Sequence, residues 1–426
     1  MTLAGLAFAY ARRRPLSTVL VVALAALGVA IATLTLVVSA ALERRLASDA
    51  RGIDLVVGAK GSPLQLVLAG VYHVDVPPGN IPHASLAWLR ARPGVAGAWP
   101  LALGDSVRGF RIVGTEPALA ELYGASLAAG AMFDAPMQAV IGDDVARMTG
   151  WAPGAAFAGT HGLAEGGGEH GENAYTVVGV LAPTGRVVDR LVLTPVESVW
   201  DVHEHHAGAG RAASPAPPDA QATRRSSADG VHDGHDRDEN AGDDADRELT
   251  MILVRYASPL AAASLPREIN ESSALVAASP AFETARLFTV FGVGLDLLRV
   301  FAAVLVGAAA LLLFVALAQA LEERRYDLAI LRALGARPRD LVFVLLAESL
   351  ALAAGGAVLG IVLGHAAVAS IGAWLPAAAP LAGAAWRPGA GEAVVVALAL
   401  AGGILAACWP AWRASRLDVA ATLAEG

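Results

Sequence analysis

The chain has 426 residues, of which 55% are hydrophobic and only 16% charged, and its mean hydropathy is +0.54. This composition excludes an ordinary soluble protein, and the formal net charge of -8 argues against nucleic-acid binding. A single cysteine, Cys408, excludes an intrachain disulfide. Lys60 is the only lysine and does not lie in a phosphate-binding P-loop, so the sequence predicts no ATPase activity for this chain.

Long apolar runs predict four membrane-spanning helices, because a helix needs about 20 mostly apolar residues to cross the hydrocarbon core. The predicted spans are residues 16–42, 296–320, 341–375 and 393–412. A cleaved signal peptide is the alternative for the first run, since Arg12, Arg13 and Arg14 precede it. The run is far longer than the apolar part of a signal peptide, about 7 to 15 residues, which favours an uncleaved span.

Arginines near the span ends predict the orientation of the chain. They cluster before the first span, between the second and third, and after the fourth. Because cytoplasmic flanks collect positive charge, we expect residues 1–15, 321–340 and 413–426 to lie inside. Residues 43–295 and the short loop 376–392 then lie outside.

The region 43–295 is predicted to be a large α+β domain inserted between spans one and two. Short β-branched or alternating runs bounded by turn residues predict strands at 53–57, 110–113, 139–141, 175–181, 190–193 and 249–255. Helices are predicted at 85–92, 118–123 and 266–278, and a last helix is predicted to continue from about Phe282 into span two.

A polar tract rich in histidine and aspartate interrupts this domain at residues 203–247. Its composition is typical of a disordered insertion. Imidazole and carboxylate are zinc ligands, so the tract is a candidate zinc-capturing arm. The alternative is a solvated insertion without a ligand. The candidate ligands are His203, His205, His206, His232 and His235.

The glycine-rich stretch around Lys60 has two open interpretations. Its backbone amides and the lysine could bind an anion. It could equally be a tight turn at which the chain leaves span one.

Span three contains Gly356, Gly360 and Gly364, whose spacing of four residues places them on one helix face. We expect this face to pack closely against a neighbouring helix. Glu348 lies in the same span, where a carboxylate is costly unless it is paired or faces water.

The connection between spans two and three carries the most specific motif. It begins with a charged stretch, continues with Ile330-Leu331-Arg332-Ala333-Leu334-Gly335, and is predicted to be a short amphipathic helix with Gly335 as its C-terminal cap. The segment resembles the coupling region of the MacB/FtsX-type permease superfamily. Residues 178–185, 189–190 and 410–418 resemble the same family, so that nearly the whole chain is covered.

The resemblance implies a permease subunit of an ABC transporter in the bacterial inner membrane, with its large domain in the periplasm. The implied partners are an ABC ATPase subunit like the MacB or LolD nucleotide-binding domain, a second permease copy, membrane lipid and periplasmic proteins. ATP and Mg²⁺ would be bound by the ATPase subunit and no cofactor by this chain. The residues implied to couple the two subunits are Glu322, Glu323, Arg324, Arg325, Ile330, Leu331, Arg332, Leu334 and Gly335.

The leading functional hypothesis is mechanical work on a periplasmic or membrane-derived client, which would be a lipoprotein, a peptide or a metal-related partner. The alternative is an FtsX-like signalling scaffold or metal-sensing membrane protein that regulates periplasmic partners. An enzyme is disfavoured, because no nucleophile–base pair or two-carboxylate arrangement stands out.

Overall fold

The computed structural model describes residues 15–161, 169–202, 247–375, 383 and 385–416. The chain divides into two compact units. The helical unit combines Met1–Arg44 with Phe288–Gly426, and the outer unit is Arg45–Leu287. The predicted insertion at 203–247 lies outside the described residues except for Arg247.

The secondary structure comprises the following elements in chain order. The helices are α1 (Pro15–Asp49), α2 (Pro63–Gly70), α3 (Ala84–Arg90), α4 (Ala118–Leu122), α5 (Asp143–Thr149), α6 (Pro259–Ser272), α7 (Pro280–Glu323), α8 (Arg325–Ala333), α9 (Pro338–Trp374) and α10 (Ala390–Ser415). The strands are β1 (Leu55–Ala59), β2 (Ile81–Pro82), β3 (Val95–Val107), β4 (Phe110–Thr115), β5 (Leu127–Gly130), β6 (Gln138–Ile141), β7 (Ala156–His161), β8 (Glu169–Leu181), β9 (Leu191–Pro195), β10 (Glu248–Leu249), β11 (Met251–Tyr256) and β12 (Leu275–Ala278). A 3-10 helix covers Val187–Arg190.

Within the described residues, four helices are long and apolar enough to cross a membrane: α1, α7, α9 and α10. The four-span architecture with a large inserted α+β domain is therefore confirmed. The helices extend beyond the predicted spans, because α1 continues to Asp49 and α7 begins at Pro280. Residues 321–340 are not one helix. The backbone leaves the helical conformation at Arg324, which separates α7 from α8, and α9 begins at Pro338.

Small residues bring the helices of the helical unit close together. A Cβ atom on Gly360 would lie 2.6 Å from the carbonyl oxygen of Ala26, and one on Gly364 would lie 2.8 Å from Cβ of Thr33. Gly356 meets Ala25 in the same way. Gly356, Gly360 and Gly364 therefore all face α1, and their backbone approaches that helix at distances that a side chain would prevent.

Small residues likewise allow α9 and α10 to pack closely together. A Cβ atom on Gly403 would lie 2.8 Å from Cβ of Ala353, and the hydroxyl of Ser349 donates a hydrogen bond to the Gly403 carbonyl at 2.5 Å. In lipid, where apolar burial offers little driving force, such contacts and hydrogen bonds hold helices together.

The outer unit is built on one ten-stranded mixed sheet in the order β12-β1-β11-β3-β4-β9-β6-β8-β5, and β7 pairs with β3 and β8. The pairs β4–β9 and β6–β8 are parallel, whereas the other strand pairs are antiparallel. The long strand β3 pairs with β11 and β4 and thereby joins the two halves of the sheet. Alternating side chains of β1 and β11 are buried on both faces of the sheet: Val56 and Leu253 in one core, Leu55 and Ile252 in the other.

Two local predictions in the outer unit are wrong. The helix predicted at 266–278 covers Pro259–Ser272 instead, and Leu275–Ala278 forms strand β12, which pairs with β1. The second is strand β3, which was not predicted: its sequence shows no alternation of apolar and polar residues and contains Gly97, Pro100 and Gly104.

The stretch around Lys60 connects β1 with α2. Lys60 is exposed, and the hydroxyl of Ser62 caps α2 by accepting a hydrogen bond from the Gln65 amide at 3.4 Å. This geometry is that of a strand-to-helix turn.

Candidate coupling site

Local sequence determines where the short helix α8 begins and ends. The backbone of Arg324 has φ -103° and ψ 7°, which interrupts the helix before α8. At the other end Gly335 has φ +101°, a conformation that a side chain would strain. The amides of Gly335 and Ala336 donate to the carbonyls of Arg332 and Leu331, and so satisfy the last turn. The helix is therefore held at a fixed length between α7 and α9.

One face of α8 packs onto the helical unit. Leu328 and Ala329 are buried, and Leu331 is partly buried against the same apolar cluster. This cluster also contains Leu321 of α7 and Leu345 of α9. Packing against two long helices fixes the orientation of α8.

The opposite face of α8 presents large apolar side chains to the surroundings. Tyr326, Ile330 and Leu334 follow one another at intervals of four residues, which places them along one side of the helix. All three are exposed, and Leu334 is 80% exposed. Leu331 is partly buried, whereas Leu334, one turn further on, is exposed.

Ion pairs at this end of the helical unit connect α7 and α8 with α10. The two carboxylate oxygens of Glu322 lie 2.8 Å from Nη1 of Arg413 and 3.1 Å from Nη1 of Arg325. Arg332 donates from Nη1 to the carbonyl of Ser415 at 3.4 Å. Glu323 is exposed at the end of α7. The charged residues of the motif thus include several that bind neighbouring helices.

A buried ion pair lies beside this surface. Nη1 of Arg324 is 3.6 Å from Oε2 of Glu348 in α9, and both side chains are largely buried. This pairing gives the carboxylate within span three an opposite charge, as a low-dielectric environment requires. The residue that breaks the helix between α7 and α8 therefore also binds α9.

Sequence reasoning missed a second buried pair near the other end of α9. Nε2 of His365 lies 3.2 Å from Oε2 of Glu392 in α10, and Nδ1 contacts the carbonyl of Ala385. The only signal was the presence of both residues next to apolar runs, which does not reveal that they meet.

The predicted metal ligands His203, His205, His206, His232 and His235 lie outside the described residues. Within the part of the chain that the structure describes, no group of three or more His, Cys, Asp or Glu side chains could hold a metal ion. Zinc binding by the histidine tract stays a prediction.

Two sequence families match the chain. The profile of the FtsX-like permease C-terminal domain matches residues 299–419. The profile of the MacB-like periplasmic core domain matches residues 18–271, which is more than half of the chain. A comparison with curated proteins gives no significant match.

Three solved structures are similar to parts of the chain. The periplasmic region of MacB from Actinobacillus actinomycetemcomitans is 10% identical with a TM-score of 0.32, and the match covers 56% of this chain and 95% of that one. The extracellular domain of the ABC-type transporter YknZ from Gram-positive bacteria is 11% identical, with a TM-score of 0.28 and coverages of 53% and 98%. A domain of a permease protein from Porphyromonas gingivalis is 16% identical, with a TM-score of 0.25 and coverages of 51% and 78%.

Proposed function

The chain belongs to the family of MacB-like and FtsX-like ABC transporter permeases, and on this premise we propose that α8 docks a separate ATPase subunit and transmits its movement to the extracytoplasmic domain. ATP and Mg²⁺ would be bound by that subunit. The chain would act as a multi-pass transmembrane subunit without catalytic activity of its own, and a second copy of it would complete the complex.

The observation that carries the proposal is the two-sided character of α8. Its buried face fixes the helix to α7 and α9, whereas Tyr326, Ile330 and Leu334 form an exposed apolar stripe. Exposed apolar stripes with a polar rim are typical of protein interfaces. Arg325 and Arg337 are exposed beside the stripe and provide such a rim.

The chain connectivity supports transmission between the two units. The chain passes from one unit to the other between Arg44 and Arg45 and between Leu287 and Phe288. Both points lie inside helices, α1 and α7, and not in loops. A helix transmits a displacement along its axis, whereas a flexible linker would absorb it. We therefore infer that the client is an extracytoplasmic lipoprotein, peptide or metal-related partner on which the outer domain performs work.

The decisive experiment places an arginine on the exposed stripe. The full chain is reconstituted with the ATPase subunit encoded beside it, and ATP hydrolysis and co-purification are measured. Leu334→Arg would insert a charge into the apolar centre of the interface, and we expect co-purification and the chain-dependent change in ATP hydrolysis to fall about tenfold or more.

The matched control is Leu260→Arg on α6 of the outer unit. Leu260 is 77% exposed and Leu334 is 80% exposed, so both substitutions make the same chemical change at nearly the same exposure. We expect Leu260→Arg to behave as the unmodified chain. Equal ATP hydrolysis and equal co-purification in both variants would contradict the docking role of α8.

A further inference from the structure

A solvent-open cavity of about 130 Å³ lies wholly within the outer unit. Its walls come from three segments: residues 72–74 after α2, residues 109–111 at the start of β4, and residues 187–191 from the 3-10 helix to β9. Histidine and arginine side chains line it, and no carboxylate from the described ranges of the chain does.

His73 is the most unusual residue of this cavity. Its side chain is buried, with only 9% of the residue exposed, yet neither Nδ1 nor Nε2 has a hydrogen-bond partner among the described residues. Buried polar atoms in proteins are nearly always hydrogen-bonded. The backbone of His73 also adopts φ +54°, which costs energy in a residue other than glycine. The fold therefore holds two imidazole nitrogens at the cavity in an unfavourable conformation.

Two arginines contribute positive charge to the same cavity. Arg111 is buried and donates through Nη2 to the carbonyl of Asp75 at 2.9 Å and through Nη1 to that of Ala69 at 3.5 Å. Arg190 has its Nε atom buried without a hydrogen-bond partner in the described part of the chain. Among the residues that the structure describes, no carboxylate lines the cavity beside either guanidinium, although Asp75 lies within electrostatic reach of Arg111, and Asp49 and Asp144 lie within electrostatic reach of Arg190.

The position of Arg190 is fixed by the residue before it. The carboxylate of Asp189 accepts hydrogen bonds from the amides of Thr184 and Gly185 at 2.9 and 2.7 Å, which closes the turn that leads into the 3-10 helix. Because this turn is internally bonded, Arg190 is held at the cavity wall before any ligand arrives.

The electrostatics of the cavity favour an anion. Burial, followed by the charges of Arg111 and Arg190, lowers the pKa of His73 to about 3. Burial likewise lowers the pKa of both guanidinium groups. The imidazole is therefore neutral at pH 7 and can donate one N–H, while both arginines stay charged.

We propose that this cavity binds a phosphate group, held by Arg111, Arg190 and the imidazole of His73. A phosphate or phosphomonoester carries close to two negative charges at neutral pH, which matches the two guanidinium groups. Arginine forks bind phosphate oxygens with charge-assisted hydrogen bonds, and the nitrogens of His73 provide a further donor. The ligand is inorganic phosphate or a small phosphomonoester, and both share this chemistry.

The test uses the full chain, purified in an uncharged, phosphate-free detergent at pH 7. Isothermal titration calorimetry with inorganic phosphate and, separately, with glycerol 3-phosphate measures the affinity and the number of sites. We expect one site. The probe with the higher affinity shows which of the two the cavity binds. Glycerol 3-phosphate would bind more tightly than inorganic phosphate only if the cavity also holds the glycerol group.

Three variants distinguish this cavity from general attraction to positive charge. Arg190→Gln and His73→Asn should each weaken binding at least about tenfold, the effect of a lost charge-assisted or buried hydrogen bond. Asparagine tolerates the positive φ of position 73. Arg267→Gln removes the same charge from an exposed position of α6 that does not line the cavity, and should leave the affinity within about twofold.

Two results would overturn the proposal. One is the absence of binding of either probe to the unmodified chain. The other is equal affinity in all four proteins, which would indicate unspecific attraction. If His73→Asn lowers the melting temperature in the absence of phosphate, its binding result is not used and Arg190→Gln alone tests the proposal. Because Arg190 is partly exposed, its replacement should not destabilise the fold.

Discussion

Both units place basic side chains beside buried carboxylates, in the outer unit Arg45 beside Asp49 and Arg286 beside Glu283, but their buried arginines are stabilised in different ways. In the helical unit the buried carboxylates of Glu348 and Glu392 each lie beside a side chain that can carry the opposite charge, Arg324 and His365. In the outer unit the buried guanidinium of Arg111 donates to backbone carbonyls. Arg186 does the same with the carbonyls of Asp49, Arg51 and Leu122.

The difference follows from the solvent that surrounds each unit. A charge within the hydrocarbon core has no water nearby, so that an oppositely charged neighbour is the main source of stabilisation. In a domain bathed in water, carbonyl dipoles can satisfy the N–H groups of an arginine while its charge is retained. A charge satisfied in this way is still available to an anionic ligand. A charge that is paired with a carboxylate in the helical unit instead helps to hold two helices together.

The largest effect is expected from breaking the buried pair of the helical unit. Arg324→Leu removes an opposite charge that lies 3.6 Å from the buried Glu348 carboxylate, and we expect the free energy of unfolding to fall by about 3 to 5 kcal/mol. Thermal unfolding of the purified full chain in detergent measures the change.

The double variant Arg324→Leu with Glu348→Leu is the control. Removing both charges also removes the cost of burying them, so the double variant should be more stable than Arg324→Leu alone. A double variant that is less stable than the single one would show that the pair is not what holds these side chains in place.

A smaller effect is expected from filling the space between α9 and α1. Gly360→Leu would force a side chain into the carbonyl of Ala26, 2.6 Å from the new Cβ atom, and should lower the stability by about 1 to 3 kcal/mol. Gly355→Leu, on the same helix, has no atom within 4 Å of its Cβ position and should be tolerated. Comparable melting temperatures of the two variants would show that α9 does not pack against α1 at Gly360.

The sequence predicted features that depend on neighbouring residues and missed those that depend on distant ones. Span length and the cap at Gly335 are local, so the four long helices and the end of α8 could be predicted. The interruption at Arg324 was not predicted. The segment 275–278 becomes a strand only because β1 pairs with it, and a run rich in alanine and valine does not reveal that partner.

The same limit applies to the sites. The motif identified the residues of α8, but which of them are exposed depends on α7 and α9: Leu331 is partly buried against them, whereas Leu334 is exposed. His73, Arg111 and Arg190 come from three separate segments, none of which carries a recognisable phosphate-binding pattern. Only the fold brings them to one cavity.

In the outer unit the charged cavity predicts a dependence of stability on pH. The pKa of His73 is about 3 in the folded chain, where Arg111 from β4 and Arg190 from the 3-10 helix face it, and about 6.5 when unfolded. Between these values the unfolded chain binds one more proton. The free energy of unfolding should therefore fall as the pH is lowered from 6.5, by up to about 1.4 kcal/mol per pH unit.

Melting temperatures at pH 7.5 and 5.0, in phosphate-free buffer, check this dependence. His73→Asn carries no titrating group at this position, so its melting temperature should decrease less than that of the unmodified chain. Equal decreases in both proteins would show that the imidazole is protonated in the folded state.

The smallest effect on stability is expected at the exposed ion pairs of the helical unit. Glu322 binds Arg413 and Arg325, but it is 44% exposed, as is Arg413, so that water and salt screen the attraction. Glu322→Gln should change the free energy of unfolding by less than about 1 kcal/mol. Thermal unfolding at low and high salt measures this change.

If Glu322 instead belongs to the docking surface, chain-dependent ATP hydrolysis will decrease while the melting temperature stays nearly constant. A loss of stability as large as that of Arg324→Leu would mean that exposed and buried pairs contribute alike, which the difference in solvent access argues against.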